Sequence, residues 1–189
     1  MENKETRIRM SKEDRREQII ESAMQVFVEK GYNGTTTAEV AKVANISEVT
    51  LFRYFDSKRE LFLSVIEPIL MDTLKESIMT TKDLEPIERL RFILTERINL
   101  ISKNHKVVRL ILMESQVNPE LGDLNYIEKI SKLLKDSINQ MGFTLKNKDL
   151  TFRLLMGSIL SYLYFPETNS ESINLFVESI LKYIIDNKN

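Results

Sequence analysis

The sequence predicts an all-α protein of about nine helices, a compact three-helix head followed by a larger helical domain. Three observations carry that prediction. Apolar residues recur at spacings of three and four, as in Ile20, Ala23 and Phe27 with Ile19 and Val26 beside them, which is the period of one helix face. Glycine and proline are scarce, five and four in 189 residues, so the turn residues of a strand-rich fold are missing. Helix-starting signals cluster early, at Ser11, Thr36, Ser47 and Ser57. Composition agrees: 42% apolar residues suffice for a sizeable core, and 29% charged residues nearly cancel to a net charge of −1. Low hydrophobicity with high net charge, the mark of disorder, is not the pattern here.

Each element follows from a local signal. The first helix begins near Ser11 and ends at Gly31, where glycine accepts a left-handed cap. In "YNGTTTAEVAKVA", Thr36 and Glu39 have capping-box spacing, so a second helix starts about Thr37 and Asn45 closes it after two turns. Ser47 caps a third, to about Phe55. Ser57 and Glu60 repeat the box and start a fourth, running to about Thr80. Pro86 suits the first turn of a fifth, ending near Lys103. Asn104 caps a sixth, to about Gln116; Asn118 and Pro119 open a seventh, which Gly142 closes. The eighth spans about Asn147 to Phe165, where Pro166 stops it, and the ninth about Glu171 to Asn187. No repeat, low-complexity run or flexible linker interrupts the chain. It divides into a head, residues 1–57, and a second domain, residues 58–189. The fourth helix joins them and would carry any shift from one to the other.

Several function classes are excluded by what is missing. There is no cysteine, hence no disulfide framework and no thiol nucleophile, which fits a cytoplasmic protein. The start, "MENKETRIRMSKEDRRE", is charged throughout and lacks the apolar core of a signal peptide. The longest apolar stretch, Leu154 to Phe165, is broken by Gly157, Ser158 and Ser161 and falls short of the roughly 20 residues that span a bilayer. The single histidine, His105, has no cysteine or carboxylate cluster at metal spacing and no serine partner, and no glycine-rich phosphate loop exists. No metal, cofactor, membrane contact or enzymatic activity is expected.

The densest stretch is residues 45–61, "NISEVTLFRYFDSKREL". With "TAEVAKVA" before it, it gives two short helices joined by a tight turn, the helix-turn-helix arrangement. Val40, Val43 and Ala44 of the first helix meet Leu51 and Phe55 of the second, which lie at i and i+4 and face Phe27 and Ala23 in the core. The opposite face carries Val49, Thr50, Arg53 and Tyr54. Such a helix fits the DNA major groove with its N-terminal residues at base edges. Tyr54 and Lys58 can reach phosphate oxygens, as can the hydroxyls of Thr35 and Thr36 and the amides at the start of the second helix. Residues 1–60 hold 11 Lys plus Arg and 11 Asp plus Glu, so the head is not basic overall. Lys4, Arg7, Arg9 and Lys12 precede the first helix, where an arm can reach the DNA backbone; the simpler reading is a solvated tail.

Residues 15–62 resemble the DNA-binding domain of the TetR family of bacterial transcriptional repressors. The matching parts are Phe27, Lys30, Gly31, Tyr32, Thr35 and Thr36; then Val40, Ala41, Ala44, Ile46 and Ser47; then the run from Thr50 to Leu61. The match covers a quarter of the chain. It implies DNA contacts from Thr36, Ser47, Thr50, Tyr54 and Lys58. Two positions depart from the family pattern: Val49 stands where relatives often carry glycine, and Phe52 where they often carry tyrosine. Val49 can offer only apolar contact, such as to a thymine methyl.

The remaining three quarters of the chain match that family only in helix count. The eighth helix, "LTFRLLMGSILSYLYF", is apolar nearly all round, so it must be buried on more than one side. Gly157 and Ser161, four apart, would let two helices approach closely, and Phe176, Ile180 and Ile184 lie on an apolar stripe of the ninth. Two such helices from each chain would make a homodimer interface, as the resemblance also implies; the same residues would serve an ordinary core. Between the fourth and eighth helices, Phe92, His105, Arg109, Met113, Tyr126 and Tyr162 are candidates to line a pocket for a hydrophobic or aromatic effector, although helical cores have the same composition. The expected protein is a cytoplasmic, dimeric regulator, a repressor that binds a palindromic double-stranded DNA operator and is released by a small molecule. The rival is a helical small-molecule binder or protein-interaction module whose head is only structural. Arg53, Tyr54, Lys58 and the paired threonines argue against it, since a structural head needs none of them.

Overall fold

A computed structural model describes residues 10–143 and 147–186. The regular structure among them is all helical, in nine helices, and the chain forms two compact units, Met1–Val65 and Ile66–Asn189. The division falls later than residue 57, inside the fourth helix, because Leu61, Phe62 and Val65 are buried with the head's core. Of the arm residues only Lys12 is described; Lys4, Arg7 and Arg9 lie outside the described residues.

The head opens with α1 (Lys12–Gly34), capped by Ser11, whose Oγ accepts the Asp14 amide at 3.0 Å. Regular helix stops at Gly31, whose φ of 73° lies in the left-handed region that favours glycine. That break swings Tyr32 back into the core. There its ring stacks on Phe27 at 6.1 Å, and Phe62 meets both rings edge-on at 4.9 Å. α2 (Thr37–Val43) starts with the full Thr36–Glu39 capping box. Its buried face is Val40, Ala41 and Ala44. Val43, expected in the core, is exposed, since two helical steps from Ala41 turn a side chain about 200° away. α3 (Glu48–Leu51) is capped by Ser47 and is shorter than expected. Beyond Leu51 the chain tightens, with the Arg53 and Tyr54 amides donating to Thr50 and Leu51 three residues back. Leu51 and Phe55 both remain fully buried.

α4 starts at Lys58 and runs as Lys58–Glu67, a π-helical turn Pro68–Asp72, and Thr73–Thr80. Pro68 explains the π turn: proline has no amide hydrogen and its ring crowds the carbonyl four residues back. The ladder resets there, with the Thr73 amide donating to Pro68 O. In the second unit follow α5 (Pro86–Lys103), α6 (His105–Val117), α7 (Tyr126–Gln140), α8 (Lys148–Ser161) and α9 (Ser170–Asp186). The predicted end of α9 at Asn187 lies outside the described residues. α5 is central, packing on α9, α8 and the Thr73–Thr80 part of α4 through Leu90, Ile93, Leu94 and Ile98. Arg91 fixes it to α9 by donating to Glu178 at 2.6 and 3.1 Å.

Two predicted caps do different work. Asn104 donates to Leu100 O at 2.9 Å, so it closes α5 rather than opening α6. Asn118 accepts the Glu120 amide at 3.0 Å in a turn that buries Leu121 and Leu124, and α7 begins only after Asn125, itself left-handed at φ 43°. Gly142, at φ 70°, closes α7 as expected.

Candidate functional site

The exposed side of the head is built by the caps. Ser47 Oγ accepts the Thr50 amide at 3.1 Å and lies 2.8 Å from Thr50 Oγ1, fixing both side chains at the start of α3. Glu48 accepts a hydrogen bond from Thr37 Oγ1 at 2.5 Å and so ties the start of α3 to the start of α2, a link the sequence pattern did not reveal. Around this corner Val43, Val49, Phe52 and Arg53 stand in solvent, Val49 at 69% exposure, while Tyr54 is half-buried. Three large apolar side chains and one guanidinium on a capped helix corner form a surface without a partner in the unit itself. Its shape and chemistry suit apolar contact with base edges plus one charged or bidentate contact.

Three of the predicted contact residues are engaged within the head. Thr35 is buried, and its hydroxyl donates to Gly31 O at 2.7 Å and Val26 O at 3.3 Å, so that hydroxyl is not presented to a phosphate. Thr36 is exposed, but its amide and hydroxyl both donate to the Glu39 carboxylate, at 3.2 and 3.1 Å. Glu39 also accepts from Lys30; that bond, then the Thr36 bonds, hold its carboxyl below the usual range, and Glu39 in turn raises Lys30. Lys58 turns inward as a clamp. Its Nζ donates to Tyr32 O at 3.0 Å and Thr35 O at 3.2 Å, and it sits 4.4 Å from the centre of the Tyr32 ring. An ammonium has three donors, so one remains for a phosphate.

In the second unit, Arg109 and Met113 lie together. They line a surface groove of about 240 Å³ with Gln116 and Tyr164, and the Arg109 guanidinium lies 5.2 Å from the Tyr164 ring centre. The other four candidates lie elsewhere. Phe92 is largely exposed, and His105 Nδ1 lies 2.9 Å from Ser102 O, at the junction of α5 and α6. Tyr126 and Tyr162 are buried, and Tyr162 packs edge-on to Phe176 at 5.3 Å. Behind the groove, sharing Leu112, Ile127 and Leu160 with it, is an interior cavity of about 50 Å³ whose wall is apolar except for Arg97. Arg97 belongs to none of the motifs in the sequence. Its signal was register: it occupies a core position of the stripe Leu90, Ile93, Leu94, Arg97, Ile98 and Ile101.

The predicted dimer residues divide in two. Gly157 is exposed, and a Cβ there would meet open space. It lies on one face of α8 with exposed Leu150 and Leu154 and half-buried Ser161. Phe176 and Ile180 are half-buried on α9. Ile184, at 1% exposure, instead belongs to the unit's own core with Ile173, Val177 and Leu181, which share its stripe at spacings of three and four. Among the described residues no cluster could hold a metal ion, and no helix is long and apolar enough to cross a membrane.

The profile of the bacterial regulatory proteins, tetR family, matches residues 19–65. The HTH-type transcriptional activator FasR of Mycolicibacterium smegmatis is 30% identical over 112 residues, covering 58% of this chain and 50% of that protein. The fatty acid metabolism regulator protein of Bacillus subtilis is 23% identical over 125 residues, covering 65% of this chain and 61% of that protein. The chain thus spans about half to three fifths of the length of these curated relatives. A solved structure of a transcriptional regulator from Aquifex aeolicus superimposes with a TM-score of 0.70 over 90% of this chain and 99% of its own, at 23% identity, a likeness of fold.

Proposed function

Because the chain belongs to the tetR family of bacterial regulatory proteins, we propose that it is a cytoplasmic, DNA-binding transcriptional regulator that grips a palindromic operator as a homodimer. In this reading it acts as a repressor and lets go when a small apolar effector binds its second unit. The observation that carries the reading is the exposed corner of the head. A short helix, pinned at its first turn by Ser47 and Glu48, presents Val49, Phe52 and Arg53 to solvent. A structural head would bury or dispense with those side chains; a groove-reading helix needs them outside.

Dimerisation is supported by the apolar face of α8, and helix-turn-helix dimers read two half-sites about one helical turn apart. The groove at Arg109 and Met113 is where the effector would enter. Relatives named for fatty acid metabolism support an apolar one. Release needs no more than unequal affinity: an effector that prefers the shape unable to bind the operator weakens DNA binding, and the operator weakens effector binding by the same factor.

The test is selection of bound fragments from genomic DNA by the purified protein, followed by affinity measurements on the recovered site across salt concentrations. The expected result is one inverted repeat, bound with a steep salt dependence as phosphate contacts release counterions. Recovery of random fragments only, or of none, would sink the reading.

A further inference from the structure

The interior cavity of the second unit holds a group that the fold does not use. Arg97 is 5% exposed, and its Nε has no hydrogen-bond partner among the described residues. Around it stand Leu100, Ile101, Val108, Leu134 and Ile159, whose side chains carry no hydrogen-bond acceptor. The one neighbouring charge that acts on it is Glu96, the residue before it in the chain, and burial outweighs it, pushing the guanidinium down to about 10. A guanidinium in apolar surroundings without a counter-charge destabilises the fold that contains it. The other buried arginine of α5, Arg89, also has an unpartnered Nε, but its Nη2 donates to Ile78 O at 3.3 Å, at the end of α4, and it does not line this cavity.

We propose that Arg97 is the anchor for the carboxylate of a small monocarboxylate with an apolar body, whose body lies between Leu112, Ile127 and Leu160 and extends into the groove beside Met113. The geometry fits in three respects. The cavity of about 50 Å³ at Arg97 has room for a carboxylate and little more, since a single water needs roughly 10–15 Å³. The three residues shared with the outer groove of about 240 Å³ give the apolar body a continuous path. A planar guanidinium matches a carboxylate with two parallel hydrogen bonds, and the low-polarity wall strengthens them. The apolar lining excludes phosphate esters and zwitterions, whose remaining polar groups would be left without partners. Such a ligand would supply the counter-charge that the cavity wall does not. This inference names the chemical class of the effector in the function proposed above and rests on that reading only for the effect on DNA.

The test uses the full chain with octanoate as probe and octanol and octylamine as neutral and cationic controls. Binding is read by calorimetry and by the shift in melting midpoint. Octanoate should raise the midpoint of the parent and bind at least about 30-fold more tightly than octanol, the size expected when a buried charge gains its partner. Arg97→Met should abolish that preference while raising the midpoint of the ligand-free protein by about 2–4 °C, because an uncompensated buried charge has been removed. Arg97→Lys, a point charge on a thinner stem, should keep the preference for octanoate over octanol but bind more weakly. Equal binding of octanoate and octanol by the parent would overturn the proposal. So would a fall in the ligand-free midpoint of Arg97→Met, which would make Arg97 a structural residue. Operator affinity measured with and without octanoate separates the two readings. Octanoate bound through Arg97 without any change in DNA binding leaves this site standing and removes the effector-release function.

Discussion

The head and the second unit handle polar groups in opposite ways. In the head, charged and hydroxyl groups find partners close by: Thr36 with Glu39, Ser47 with Thr50, Lys58 with the carbonyls of the α1 turn, Arg16 over the Phe55 ring at 5.0 Å. Among its solvated polar residues the head also exposes an apolar corner, Val43, Val49 and Phe52, beside Arg53. In the second unit one face of α8 exposes Leu150 and Leu154, and an arginine, Arg97, is buried with its Nε unpartnered among the described residues. A head that is locally complete needs no other part of the chain to set its shape and is ready to dock as a rigid piece. Under the function proposed above, a ligand at the Arg97 cavity and a second chain on the α8 face would complete the second unit. The following predictions test each half of that contrast, from the largest expected effect to the smallest.

Rigidity of the head rests on the Phe27, Tyr32 and Phe62 cluster. Phe27→Ala should cost about 3–5 kcal/mol, since a fully buried ring leaves a cavity that fixed helices cannot close. Chemical unfolding followed by circular dichroism should show loss of the head's helices before those of the second unit. Unfolding of both units together in one unshifted transition would show that the head is not the locally complete piece described above.

The same locality explains what the sequence disclosed. Ser11, Thr36 and Ser47 cap helices as their spacing predicts, because a cap is decided within about four residues of chain. The sequence pattern assigns Asn104 to the start of α6, yet it closes α5, because an asparagine between two helices can serve either end and packing makes the choice. The order of helices and the exposed corner of the head were legible. Thr35 and Lys58 were not: both carry residue types that suit a phosphate, and both are turned inward by the chain reversal at Gly31, which brings carbonyls within their reach. Arg97 is legible only as a charge in register on an apolar stripe, and what makes it informative is that its Nε lacks a partner among the described residues, which no sequence pattern shows.

On the second unit the sharpest probe is Gly157→Arg. A side chain there meets open space within the chain, and removing a mid-helix glycine favours the helix by roughly 1 kcal/mol. The fold should therefore hold. An arginine on each facing α8 would instead place two like charges in an apolar contact. Sedimentation should show monomer, and operator affinity should drop by about 100-fold, roughly 2.7 kcal/mol. A dimer that survives the substitution would place the second chain elsewhere and leave the open face of α8 unexplained.

Within the head, Arg53 and Lys58 should separate reading from holding. Arg53 is exposed and presents its guanidinium outward, so Arg53→Ala should change which operator variants bind, by about 1–2 kcal/mol at one position, without altering the melting midpoint. Lys58→Met removes the clamp on Tyr32 O and Thr35 O, so it should lower the stability of the head by about 1 kcal/mol and weaken all operator variants alike. A change of sequence preference in Lys58→Met and none in Arg53→Ala would reverse the assignment of the two residues.

The smallest effect is in acid, where the comparison can be made between one ion pair of each unit. Lys30 with Glu39 joins α1 to α2 in the head, and Arg91 with Glu178 joins α5 to α9 in the second unit; both carboxyls are held below the ordinary 4.5 by their cationic partner. A carboxyl depressed in the folded state contributes stability that is fully present above its unfolded value and is lost as the pH falls through its folded value. Both contributions should therefore persist at neutral pH and fade only below about 4.5, and salt should diminish them, since all four groups are largely in water. Glu39 also closes the capping box of α2, so its loss should be felt where the head is built. Glu39→Gln preserves an acceptor for the Thr36 amide but carries no charge. The stability difference between parent and Glu39→Gln should be constant above about pH 5 and shrink as the pH is lowered further, measured by urea unfolding at a series of pH values. Glu178→Gln should show the same shape of curve with its loss confined to the second unit's transition. A difference that grows on acidification would have the wrong sign for a carboxylate held charged by its lysine, and would mean that the Lys30 contact does not form in solution.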